Sequence, residues 1–174
     1  MSAGARLCLP AATLLLTGVL TVGAAQEQKR GPSTPEERAG AVRLTRSLEA
    51  DPLGKDAKEA RQWLTIWLIQ IPDMTVKFCT SLLGPDIDLK ENYGSEIKVQ
   101  MMFSQAAFMI ENPGKGKDDL AVYTAGVEGA LKVYEAILRE KPKAQSPVLD
   151  ELVRKHNNGE LGKYVRQTMV KCKR

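Results

Sequence analysis

Prolines and glycines cut this chain into apolar stretches of helical period, and no stretch alternates convincingly with period two. Proline lacks a backbone N–H and disfavours helical geometry in the residue before it, so each one closes a helix or opens the next. A sheet is therefore not expected. The fold class is all-α, a single irregular helical bundle of about six or seven helices.

Thr34-Pro35-Glu36-Glu37 supplies a cap, a proline at the first helical position and a glutamate three residues past the cap, so a first helix is predicted from there to about Ala50. Asp51-Pro52-Leu53-Gly54 breaks it. A second helix opens near Asp56 and runs until Pro72; its second half, Trp63 to Ile71, is apolar nearly all round, which predicts a place at the centre of the bundle. Asp73 is placed to cap a short third helix with Val76, Cys79 and Leu83 on one face, ended by Gly84-Pro85. Residues 84–95 read as a loop, and Glu96 to Ile110 as a largely buried fourth helix. Asn112 to Lys117 is a turn, and Asp118-Asp119 caps a long helix in which Leu120, Tyr123, Val127, Leu131, Tyr134 and Leu138 recur at helical spacing. It ends near Pro142. Ser146-Pro147 starts a sixth helix, stopped by Asn157-Asn158-Gly159, and a last one runs from about Glu160 to Lys171. Ala130, Tyr134 and Pro142 have the spacing of the second helix of a tetratricopeptide repeat. The first-helix positions are not met upstream, and no repeat family is assigned.

The beginning of the chain reads as an address. Met1 to Arg6 hold one basic side chain, Leu7 to Ala25 run uncharged, and Gly23 and Ala25 stand where a signal peptidase reads. The domain organisation is then a signal peptide at 1–25, a flexible leader at 26–33 and one helical domain at 34–174. An uncleaved anchor is the alternative, and in both cases Arg6 holds the amino end inside, so the rest is extracytoplasmic, periplasmic or secreted. Cys8 precedes the apolar run and follows Leu7, which is wrong for lipid attachment. No later apolar run is long enough to span a bilayer, so no transmembrane helix is expected after signal cleavage. With Arg6 removed, 24 basic side chains face 21 acidic ones, and a net charge of +3 gives no reason to expect nucleic acid as a partner.

Cys79 and Cys172 are the two cysteines left in the exported part, and both fall on apolar helical faces. They are expected to form a disulfide, with free thiols or metal ligation as the alternatives. His156, the only histidine, ends a predicted helix in Arg154-Lys155-His156, where a cation complements the helix dipole. No nucleophile turn of the Gly-x-Ser-x-Gly kind accompanies it. Asp86, Asp88 and Glu91 invite a calcium reading, but Lys90 and Glu91 occupy the wrong loop positions. Gly114-Lys115-Gly116-Lys117 lacks the upstream glycine of a phosphate loop and is followed by Asp118 rather than serine or threonine. Trp63 and Trp67 are expected in the core rather than on a ligand platform, and Met101, Met102 and Met109 as core filling rather than Cu(I) ligands. Gly126 and Gly129, inside the long helix, each cost about 1 kcal/mol relative to alanine and point to close approach of another helix.

The carboxyl end gathers Arg154, Lys155, Lys163, Arg166, Lys171, Lys173 and Arg174 against Glu160 alone. Lys163, Arg166, Lys171, Lys173 and Arg174 are the candidate partner-binding residues. No catalytic, cofactor-binding or metal-binding residue is assigned, and no cofactor is expected. The function that fits is an exported helical binding or interaction protein of the cell envelope, its partner an unidentified protein or envelope component. The alternatives are a small exported enzyme with a dispersed acid/base site and a peripheral binder of anionic surfaces through the basic terminal helix.

Overall fold

Six α-helices and no strand form among the described residues, 30–84 and 93–173 of a computed structural model. They are α1 (Pro35–Ala50), α2 (Ala57–Gln70), α3 (Gly94–Glu111), α4 (Asp119–Glu140), α5 (Pro147–Asn157) and α6 (Leu161–Thr168). The expected signal segment 1–25, the acidic cluster Asp86, Asp88 and Glu91, and Arg174 lie outside the described residues.

The local signals that start α1 work as read. Thr34 Oγ1 accepts the Glu37 N–H at 3.2 Å while the Glu37 carboxylate accepts the Thr34 N–H at 2.9 Å. Two amides that the helix itself leaves unbonded are thereby satisfied. At the start of α4 the Asp118 carboxylate accepts the N–H groups of Leu120 and Ala121 at 3.1 and 3.2 Å, so the preceding glycine-lysine stretch is a turn with capping acids. Gly159, at φ +73°, ends α5 in the left-handed conformation, and the Glu160 N–H reaches back to Lys155 O at 2.8 Å.

The centre of the bundle is the α3–α4 pair. A Cβ added at Gly126 would stand 2.9 Å from Met101 O, and one at Gly129 would stand 1.9 Å from Ser104 Oγ. Both glycines therefore allow the two helices to approach, which is the packing reason their helical cost implied. α1 and α2 cover one side of this pair around Phe103, Leu48 and Trp67; α5, α6 and a 3-10 turn at Thr80–Leu83 cover the other around Leu131, Leu149 and Val165.

Four expectations are corrected. α2 is not central: Trp67 is 3% exposed, but Trp63, Ile66 and Ile69 are 40%, 46% and 78% exposed, because only one side of α2 meets α1 and α3. The short helix after Asp73 does not form, and residues 74–79 run without helical bonding to the Thr80–Leu83 turn. Asp73 instead accepts the Ser33 N–H and hydroxyl, each at 2.8 Å, and Arg38 at 2.7 Å. The buried Gln105 amide pairs with Lys77, accepting its N–H at 3.1 Å and donating to its carbonyl at 3.1 Å. Backbone groups satisfied by side chains from elsewhere have no need of a helix. The last helix also stops early, at Thr168, and tightens into a 3-10 turn at Met169–Lys173. Two residues placed in the flexible leader are tied down in the structure: Ser33 is buried on Asp73, and Arg30 pairs with Glu37 and donates to Gln70 at 3.4 Å.

Candidate functional site

A cleft of about 490 Å³ opens between the second half of α1 and the first two turns of α2. Leu44 and Leu48 from α1 and Ala57 and Ala60 from α2 form its apolar part, the two alanines leaving depth where larger side chains would close it. Trp63 forms one wall. Its ring lies 5.8 Å from that of Trp67 at an interplanar angle of 9°, and because Trp67 is buried the stack holds Trp63 in place with part of its ring in solvent. Around the mouth stand Asp51, Asp56 and Glu59, all exposed, against the single ammonium of Lys55.

Chemically, this arrangement suits the attraction of a cation. Exposed carboxylates around an apolar dent attract and orient a cation, and an indole face adds a cation–π contact.

The most buried carboxylate among the described residues, Glu49, lies elsewhere, where α1, α3 and α4 meet. Its Oε1 accepts Arg46 at 2.5 Å and the Ser104 hydroxyl at 2.8 Å, and its Oε2 faces Lys132 Nζ at 3.3 Å. Gln100, on the same side, donates to Thr45 O and Ser104 Oγ. Both oxygens are engaged, so the cluster neutralises a buried charge and joins three helices. Sequence spacing could not have found it, because Glu49, Ser104 and Lys132 come from three separate helices.

The expected site residues fall as follows. Cys79 and Cys172 form a disulfide with their Cα atoms 5.5 Å apart, joining the segment before the Thr80–Leu83 turn to the Met169–Lys173 turn. Lys163, Arg166 and Lys171 are exposed, and none forms an ion pair with another described residue. Arg154 and Lys155 differ: Glu151 pairs with them at 2.6 and 2.9 Å, which holds its carboxyl at about 2, chiefly through the Arg154 hydrogen bond and then that from Lys155. Glu151 lies just before Arg154, so one of the seven positive charges at the carboxyl end is offset, its partner carboxylate being shared between Arg154 and Lys155. His156 sits in the last turn of α5, with Nδ1 at 3.9 Å from Glu128. Among the described residues no three His, Cys, Asp or Glu side chains converge as metal ligands would.

Trp63 is the functional candidate that sequence reasoning assigned to the core. The run of apolar residues pointed inward, and nothing in it showed which side of the helix lacks a neighbour. Compared with known proteins, the chain matches no protein family, no curated protein and no solved structure.

Proposed function

We propose that this chain is an exported helical binding protein of the cell envelope that takes an amphipathic organic cation into the α1–α2 cleft. The observation that carries the reading is the combination in one cleft of the Trp63 wall, an apolar floor and a mouth with three carboxylates against one ammonium. An alkyl or aryl body gains about 25 cal/mol for each Å² of apolar surface it buries there, and a cation on the indole adds about 0.5–1 kcal/mol at a solvent-exposed site. Export is supported by the leader layout at Leu7 to Ala25 and by a disulfide, which persists in oxidising compartments. Among the described residues no helix is long and apolar enough to cross a membrane.

The test uses the fluorescence of the two tryptophans, both of which lie on α2. Titration with a monomeric alkyltrimethylammonium is expected to shift the emission saturably, and an alkyl sulfate of equal chain length is expected to leave it unchanged. The double variant Asp56→Asn, Glu59→Gln should weaken the cation several-fold without moving the melting temperature, since both side chains are exposed. Equal responses to cation and sulfate, or indifference to the double variant, would remove the reading.

A further inference from the structure

We infer that the outward face of α6 and of the turn that follows it docks on an anionic phospholipid bilayer. This surface is on different helices from the α1–α2 cleft, and the inference does not depend on what that cleft binds. α6 divides sharply: Leu161 and Val165 are buried against the core, while Lys163 and Arg166, three residues apart, are exposed on the opposite side, and Val170 is exposed in the turn that follows. A helix whose apolar stripe is already buried in its own bundle has only its cationic face to offer a partner.

Among the described residues that face is uncompensated. In sequence, residues 160–174 hold five cationic side chains and one acidic one. Lys163, Arg166 and Lys171 find no carboxylate among the described residues, although the neighbouring α5 pairs both Arg154 and Lys155 with Glu151. Two exposed apolar side chains accompany the cations. Val170 is 64% exposed in the terminal turn, and Phe78 is 53% exposed one residue before the disulfide. The 5.5 Å span of the bonded cysteines and one Cα step of about 3.8 Å put the Phe78 Cα within about 9 Å of that of Cys172.

Exposed cations on α6 and its following turn, with an exposed valine in that turn and an exposed phenylalanine on the segment the disulfide joins to it, fit the bilayer interface. Phosphates there meet the cations, and the upper acyl region receives the apolar side chains. A polyanion in solution satisfies only the cations and leaves Val170 and Phe78 in water. The disulfide anchors the otherwise short terminal turn, so the face is presented by a held element rather than by a loose tail.

The experiment is sedimentation of the purified protein with vesicles of phosphatidylcholine, with and without about one third phosphatidylglycerol. Binding is expected to be at least ten-fold stronger to the anionic vesicles and to be released at about 0.5 M salt, where the screening length falls well below 10 Å. The variant Lys163→Gln, Arg166→Gln, Lys171→Gln should lose about five-fold per charge, on the order of a hundred-fold in all. Its melting temperature should be unchanged, because all three side chains are exposed. Val170→Ser with Phe78→Ser should weaken vesicle binding further while leaving binding to soluble polyglutamate unaltered. Vesicle binding that neither salt nor the triple variant changes would overturn the inference. So would polyglutamate binding as tight as vesicle binding together with indifference to the Val170 and Phe78 changes, which would identify a soluble polyanion as the partner.

Discussion

Replacing Cys172 with serine tests how the end of the chain is held. The Cys79–Cys172 bond closes a loop with a sequence separation of 93 residues. In the chain-entropy model a loop of that size raises the free energy of the unfolded chain by about 4.6 kcal/mol at 25 °C, an upper value that native strain reduces. Near the transition a domain of this size loses about 0.3 kcal/mol of stability per degree, so the variant should melt about 15 °C lower, or about 10 °C lower if a third of the entropy term is offset. The loss should not be uniform. Leu161 and Val165 are buried by packing against the core, so α6 is expected to stay seated, but the Met169–Lys173 turn loses its covalent anchor. Thermal circular dichroism gives the global shift, and amide exchange gives its distribution, with faster exchange expected beyond Thr168 first. A melting temperature within about 3 °C of the wild type, or recovery of both cysteines as alkylatable thiols from folded oxidised protein, would refute the reasoning.

At the α3–α4 contact, Gly129→Ala places a Cβ 1.9 Å from Ser104 Oγ and 2.9 Å from Glu49 Oε1, so Ser104 must give up its bond to Glu49. A net loss of about 2–3 kcal/mol is expected in urea unfolding despite the roughly 1 kcal/mol gained in helix propensity, and a raised midpoint would contradict it. The Asp73 carboxyl is held at about 2, below its ordinary 3.8, first by the Ser33 N–H and then by the Ser33 hydroxyl and Arg38. The stability this represents is fully present above about 3.8 and is lost as pH falls towards about 2, so the wild type's advantage over Asp73→Asn should shrink across that window and be flat above it. Part of the Arg38 pair is in solvent, which keeps the effect small, and an advantage that grows on acidification would disprove the assignment.

What the sequence determined by itself was whatever depends on neighbours along the chain. The capping box at Thr34 and Glu37, the Asp118 cap, the stops at Pro52, Pro72 and Gly159, and the apolar spacing of α4 each involve residues within one or two turns of one another, and each forms as read. Gly126 and Gly129 also announced a close helix, because their cost in an isolated helix needs a compensating contact. What only the tertiary structure decided was where backbone groups and apolar faces find distant partners. Gln105 reaches across 28 residues of sequence to bond both backbone groups of Lys77, and Ser33 across 40 to bond Asp73; these contacts replaced the expected short helix with a strap. Periodicity likewise could not show that α2 would have neighbours on one side only. That one-sidedness left Trp63 at the surface and opened the cleft beside α1, because apolar spacing measures what a helix could bury while the number of elements packed around it sets what it does bury.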